Sequence, residues 1–235
     1  MSQTTPSAST TSTTSTTLPP LPDPLAQAER LIELGVHRIA GLSADEIRTF
    51  AAEAEGPAGE GGALLAVHPE RAPASALAPL LRREEEPDKP GFVVTDMPDV
   101  DLFAPLDTVA LPDSPLYLVT GPDRGDEMAN WSPNEALPAL SAKDRTPLLL
   151  TEGIHWVVQQ PAVLERNRCF MTIGSRLRKA GGALDARTPA LWISNGTGRD
   201  GRERRNAPKV GWCWAGNRHT WLGFASAADR RSPGA

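Results

Sequence analysis

The chain of 235 residues is poor in lysine, four against twenty arginines, and holds only one tyrosine and five phenylalanines. It has two cysteines, Cys169 and Cys213. No stretch approaches the roughly 18 consecutive apolar residues that a membrane-spanning helix needs. The Ser/Thr/Pro-rich residues 1–22 lack the basic start and apolar run of a secretory signal. Membrane and export readings are thereby set aside, and the expectation is a cytoplasmic protein with both thiols reduced. The Walker phosphate loop, the HExxH zinc motif and the GxSxG nucleophile elbow are missing as well. One string, Gly196, Gly198 and Gly201, spells the GxGxxG dinucleotide fingerprint. It runs through Arg202 to Asn206 into Pro208 and another apolar run, which leaves no room for the helix whose N-terminal amides would meet a pyrophosphate. It reads as an Arg-rich hairpin loop, and no cofactor is expected.

Charge, by contrast, is present in abundance and unevenly placed. The net charge is -5, but residues 1–90 carry -6, residues 91–150 carry -7 and residues 151–235 carry +8. Five of the six tryptophans, Trp156, Trp192, Trp212, Trp214 and Trp221, fall in that basic third. Such a segment serves either as a surface for anions or nucleic acid, or as a partner for the acidic two thirds of its own chain. The second is the simpler expectation.

Residues 1–22 have too little apolar surface to offset the entropy of ordering and read as a disordered tail. Order is expected from Asp23, which can cap a helix with Pro24 at its first position and Gly35 past its end. Ser43 and Glu46 then form a capping box, with Ile47, Phe50, Ala51 and Ala54 on one face. Residues 55–62 read as a loop, 63–67 and 91–94 as short buried strands around a helix near 73–83, and 95–115 as an Asp- and Pro-rich surface excursion. A strand at 116–120 precedes a helix capped by Ser132 and Glu135, and Thr151 is expected to cap the next. From 168 onward the pattern turns to strands, 169–174, 190–194, 209–214 and 220–225. Helices early and strands late predict an α+β fold in which an N-terminal helical layer packs on a mixed or antiparallel sheet rich in C-terminal strands. The expected organisation is a tail at 1–22, one domain at 23–228 and a disordered end at 229–235.

The richest cluster of side chains runs from Gly211 to Gly223. On a strand Trp212 and Trp214 share one face and Cys213 points to the other. Ala215 to Arg218 suits a hairpin connection that would return His219 beside Cys213, and a thiol beside an imidazole is how cysteine nucleophiles are activated. The orienting group and oxyanion donors of such a dyad are missing, so closure of the core is the simpler role. Asp96, Asp99 and Asp101 lack the Gly turn and terminal Glu of a calcium loop. His155, Cys169, Cys213 and His219 lack the close ligand spacing of a structural zinc site. No metal is expected.

Arg168-Cys169-Phe170-Met171, Gly174-Ser175-Arg176, Pro189 to Ser194, Pro147 through Ile154 and Leu31 to Leu42, together with the Trp-rich cluster, resemble an uncharacterised actinobacterial family grouped as a domain of unknown function. The resemblance runs from about residue 25 to 227 and implies no assigned reaction, cofactor or catalytic residue. The leading functional expectation is a non-catalytic binding domain. Its ligand-binding surface would comprise Arg176, Trp212, Trp214, Arg218, His219 and Trp221, facing a small anionic ligand or a protein partner. A cysteine-dependent enzyme at Cys213 and His219 is the alternative. A third reading, nucleic-acid binding through Arg176, Arg178, Lys179 and Arg199 to Arg205, is disfavoured by the acidic total charge.

Overall fold

The computed structural model describes residues 18–54 and 62–233. Among these the helices are α1 (Pro24–Glu33), α2 (Val36–Ile39), α3 (Ala44–Glu53), α4 (Ala74–Leu77), α5 (Pro133–Ser141) and α6 (Leu150–Gln159). The strands are β1 (Ala63–Val67), β2 (Phe92–Val93), β3 (Phe103–Pro105), β4 (Leu116–Thr120), β5 (Thr146–Pro147) and β6 (Cys169–Met171). They continue as β7 (Ser175–Leu177), β8 (Arg187–Ile193), β9 (Pro208–Trp214), β10 (Leu222–Phe224), β11 (Ser226–Ala227) and β12 (Asp229–Arg231). The fold is α+β, and no helix among the described residues is long and apolar enough to cross a membrane.

The N-terminal helices form where their caps place them. The Asp23 carboxylate accepts from Ala26 N at 2.8 Å, and Ser43 and Glu46 exchange both bonds of the capping box. Such caps each contribute about 1 kcal/mol. The helices then bury Ala28 and Leu31 of α1 against Ile47 and Ala51 of α3, and α1 lies on β1. That strand is the edge of the antiparallel sheet β1-β4-β12. Its open side is closed by side chains: Gln27 donates to Ala63 O and accepts from Leu65 N, both at 2.8 Å, and His155 Nε2 accepts from Val67 N at 3.3 Å. An edge finished in this way offers no template for another chain.

A second, mixed sheet has the order β10-β6-β8-β9-β2, antiparallel at its centre and with parallel pairs at both ends. The two sheets sandwich α6, whose ten residues are all buried. Helix and sheet approach closely because position 153 is glycine: a Cβ there would lie 2.6 Å from Thr172 Cγ2. The N-terminal helical layer thus sits on the smaller sheet, while α6 covers the C-terminal one.

Several boundaries differ from the sequence reading. Leu18 and Leu21, placed in the expected tail, pack on the core, and Gln160 donates to Pro19 O. Residues 1–17 of that tail and 55–61 of the 55–62 loop lie outside the described residues. Residues 229–231, assigned to a disordered end, form β12 because Arg230 is drawn into a buried ion pair with Glu152. Thr151 is not a cap; α6 starts two residues earlier than that cap implies, with Leu149 as N-cap and its N–H bonded to Glu152 at 2.7 Å. The excursion at 95–115 contains β3, paired with β7.

Candidate functional site

The Trp-rich cluster does not form the expected hairpin. β9 pairs with β8 over seven residues, and β10 lies at the far side of the sheet beside β6, with β6 and β8 between them. Cys213 therefore stands opposite Thr188, and its return partner is not His219. The physical reason is burial: next to β6, Leu222 and Phe224 complete an apolar cluster with Met171, Ile173 and Ala190 under α5. The Gly-rich connection 194–207 is the true hairpin loop, joining β8 to β9. Asp200 pins it, accepting from Ser194 Oγ at 2.9 Å and Lys209 Nζ at 2.6 Å.

A cavity of about 500 Å³ opens on this face of the sheet. Its walls include Cys169 of β6, Ala190 and Trp192 of β8, Trp212 and Cys213 of β9, and Leu222 at the start of β10. The segment 219–221 brings His219 and Trp221 to the rim, where their rings stack at 4.6 Å and 22°. Asn130 N–H holds that segment through His219 O at 2.9 Å. Asn167, Arg168 and Asn195 complete the mouth.

Trp192 forms one wall and was not singled out from sequence. Its ring lies over Gly211, where a Cβ would come within 2.5 Å of it, and Lys209 Nζ sits 4.8 Å above the ring centre. The available signal was Gly211 itself, since a glycine inside a strand marks the close approach of another group. Gly211 and Lys209 together with the Asp200 ion pair hold the indole in place before any ligand arrives.

Of the expected ligand-binding residues, His219 and Trp221 meet at this cavity; Trp212 borders it from β9, but its side chain lies on the face opposite Cys213 and packs on the main core, and the other three do not reach it. Arg176 lies on the β3–β7 pair opposite Ala104, buried, with Nη2 donating to Asp185 O at 2.7 Å. Burial there lowers its pKa. Trp214 is half-exposed and packs edge-on against Trp212 at 4.5 Å. Arg218 pairs with Glu135. The cations nearest the cavity are also engaged: Arg168 meets Asp126 at 3.1 Å and Glu165 at 3.5 Å, and Lys209 meets Asp200.

The same pairing recurs elsewhere in the basic third, though not at Arg202, Arg204 or Arg205, for which no ion pair forms among the described residues. Arg187 binds Asp99 through two bonds of 2.9 and 2.6 Å, Arg178 meets Asp107 at 2.9 Å, and Arg199 meets Asp96 at 3.4 Å. Charge asymmetry along the chain is thus used in part to join its acidic and basic segments. The exposed pairs among these contribute little to stability. They do remove much of the unpaired positive charge that phosphate binding would need.

Cys213 and His219 both line the cavity, yet no hydrogen bond joins them among the described residues. The Cys213 sulfur faces Asn217 Nδ2, at 4.0 Å, and the Trp214 backbone N–H. Burial raises the Cys213 pKa above the usual thiol value, and burial together with Cys213 raises that of Cys169 further. Both thiols are free and held in the protonated form, the opposite of an activated nucleophile. Among the described residues no three His, Cys, Asp or Glu side chains gather as a metal centre requires.

The architecture is therefore an α+β domain with an aromatic, thiol-lined cavity on the face of its larger sheet. The chain belongs to the family of unknown function DUF5701, whose model matches residues 30–233. Neither the curated proteins nor the solved structures contain a match to the chain.

Proposed function

We propose that this protein is a non-catalytic, cytoplasmic binding domain that holds a small, flat, largely apolar molecule in the cavity between β6, β8 and β9. The observation that carries this reading is the convergence of Trp192, Trp221 and His219 on one cavity of about 500 Å³, a size suited to a small organic ligand. Indole faces bind flat rings through dispersion and quadrupole contacts, and Trp192 is held ready by Gly211 and Lys209. The paired state of Arg168, Lys209 and Arg218 favours an uncharged ligand over the anion expected from composition.

The test is calorimetric titration of the full chain with neutral bicyclic heterocycles, alongside Trp221→Ala. Trp221 is half-exposed, so its removal spares the core. Binding by the native chain that weakens at least tenfold in the variant is expected. Equal affinity in both proteins, or no binding, rejects the reading.

A further inference from the structure

A second cavity, of about 620 Å³, adjoins the first. The two share Asn167, Arg168, Trp221 and Leu222, so the indole of Trp221 stands as a partition between them. The far side is bounded by Asp126, Glu127, Ala129 and Thr220 in place of aromatic rings. One compartment is therefore walled by aromatic rings, the other adds acidic and hydroxyl side chains to a still largely apolar wall, and they meet at a single half-exposed ring.

The polar groups of this double site divide into engaged and unengaged. Asp126 is bonded to Arg124 and Arg168, and Arg168 also faces Glu165. The side chains of Asn167, Asn195 and Thr220 make no hydrogen bond to protein among the described residues, and Glu127 uses only Oε1, at 3.3 Å from Lys143. What remains for a ligand is a set of amides, a hydroxyl and a carboxylate oxygen. Such a set matches hydroxyl groups, which both donate and accept, and it offers a phosphate the open Oε2 of Glu127 and no unpaired cation, since Arg168 is held by Asp126 and Glu165.

Resting on the binding reading above, we infer that the ligand is an uncharged ring joined to a polyol. The ring occupies the aromatic cavity and the polyol passes Trp221 into the second one. Nucleosides and aryl glycosides share this chemistry.

The experiment is isothermal titration of the full chain with adenosine and uridine, with phenyl β-glucoside, with adenine and glucose as separate halves, and with adenosine 5′-monophosphate. The nucleosides and the glucoside distinguish the two sources. Whichever joined molecule binds should do so at least tenfold more tightly than either half, and for a nucleoside the added phosphate should weaken binding severalfold. Glu127→Gln and Thr220→Val are both at exposed positions and leave the core intact. Each should reduce the affinity of the joined molecule about fivefold and leave that of the ring alone unchanged. A ring that binds as tightly alone as when joined, or a phosphate that tightens binding, overturns this inference while the aromatic cavity stands. Failure of every compound to bind below millimolar concentration rejects both.

Discussion

Glu152 and Arg230 offer the sharpest test of how this fold is held together. Their side chains are 0% and 2% exposed, and the guanidinium meets the carboxylate through two bonds, Nε to Oε1 at 2.6 Å and Nη2 to Oε2 at 2.7 Å. Tyr117 donates its hydroxyl to the same carboxylate at 2.9 Å, and Leu149 donates its N–H at 2.7 Å. Arg230 also donates to Thr146 Oγ1 and Pro147 O. The pair thus fastens β12, the start of α6 and β4 at one buried point. Glu152→Gln keeps the volume but leaves a buried guanidinium without its counter-charge. Breaking one partner of such a pair costs about 3–5 kcal/mol. At roughly 2–4 °C per kcal/mol for a chain of this size, the melting temperature should fall by about 6–20 °C. Cutting the chain after residue 228, the domain end expected from sequence, removes Arg230 and should destabilise to a similar degree. Replacing both residues by methionine should recover part of the loss, because no buried charge is then left unpaired, while the Tyr117 hydroxyl and the Leu149 N–H still lose their acceptor. Thermal and urea melts measure all three variants. A drop of less than about 2 °C in both Glu152→Gln and the truncated chain would refute the anchoring role.

Other outcomes follow from the same structure. His155 is fully buried, and burial lowers its pKa to about 4 from the ordinary 6.5. The unfolded chain therefore binds the extra proton first, and stability should fall by roughly 3 kcal/mol as pH drops from 6.5 towards 4. Urea midpoints at pH 7 and pH 5 measure this, and His155→Gln should flatten the difference; an unchanged slope in that variant would show that other groups cause it. Iodoacetamide should label Cys213 slowly at pH 7, and equally so in His219→Ala. Rapid stoichiometric labelling that His219→Ala abolishes would instead support the cysteine enzyme. Removing residues 2–17 should leave the melting temperature within about 2 °C, whereas a cut through Pro22 also strips Leu18 and Leu21 from the core and the acceptors of Gln160 and Gln27. That longer cut should cost about 2–4 kcal/mol, and identical melts for the two truncations would show that this segment does not dock.

What the amino-acid sequence determined by itself is local. Asp23 and Pro24 start α1, Ser43 and Glu46 start α3, and Ser132, Pro133 and Glu135 start α5, because a cap joins atoms three residues apart. The apolar runs at 63–67, 116–120 and 209–214 became strands for an equally local reason, their β-rich composition between turn residues. The tertiary structure decided what joins across distance. Thr151 looked like a cap, but Glu152 serves Leu149 while also binding Arg230, 78 residues away. The cluster from 211 to 223 looked like a hairpin, but β10 is placed by the apolar cluster it completes beside β6, so Trp221, just ahead of β10, and Trp192 of β8 meet at one cavity. Arg176 looked free to bind, but the pairing of β7 with β3 buries it elsewhere. Strand order and charge pairing depend on which buried faces fit together over the whole chain, and no window of neighbouring residues contains that choice.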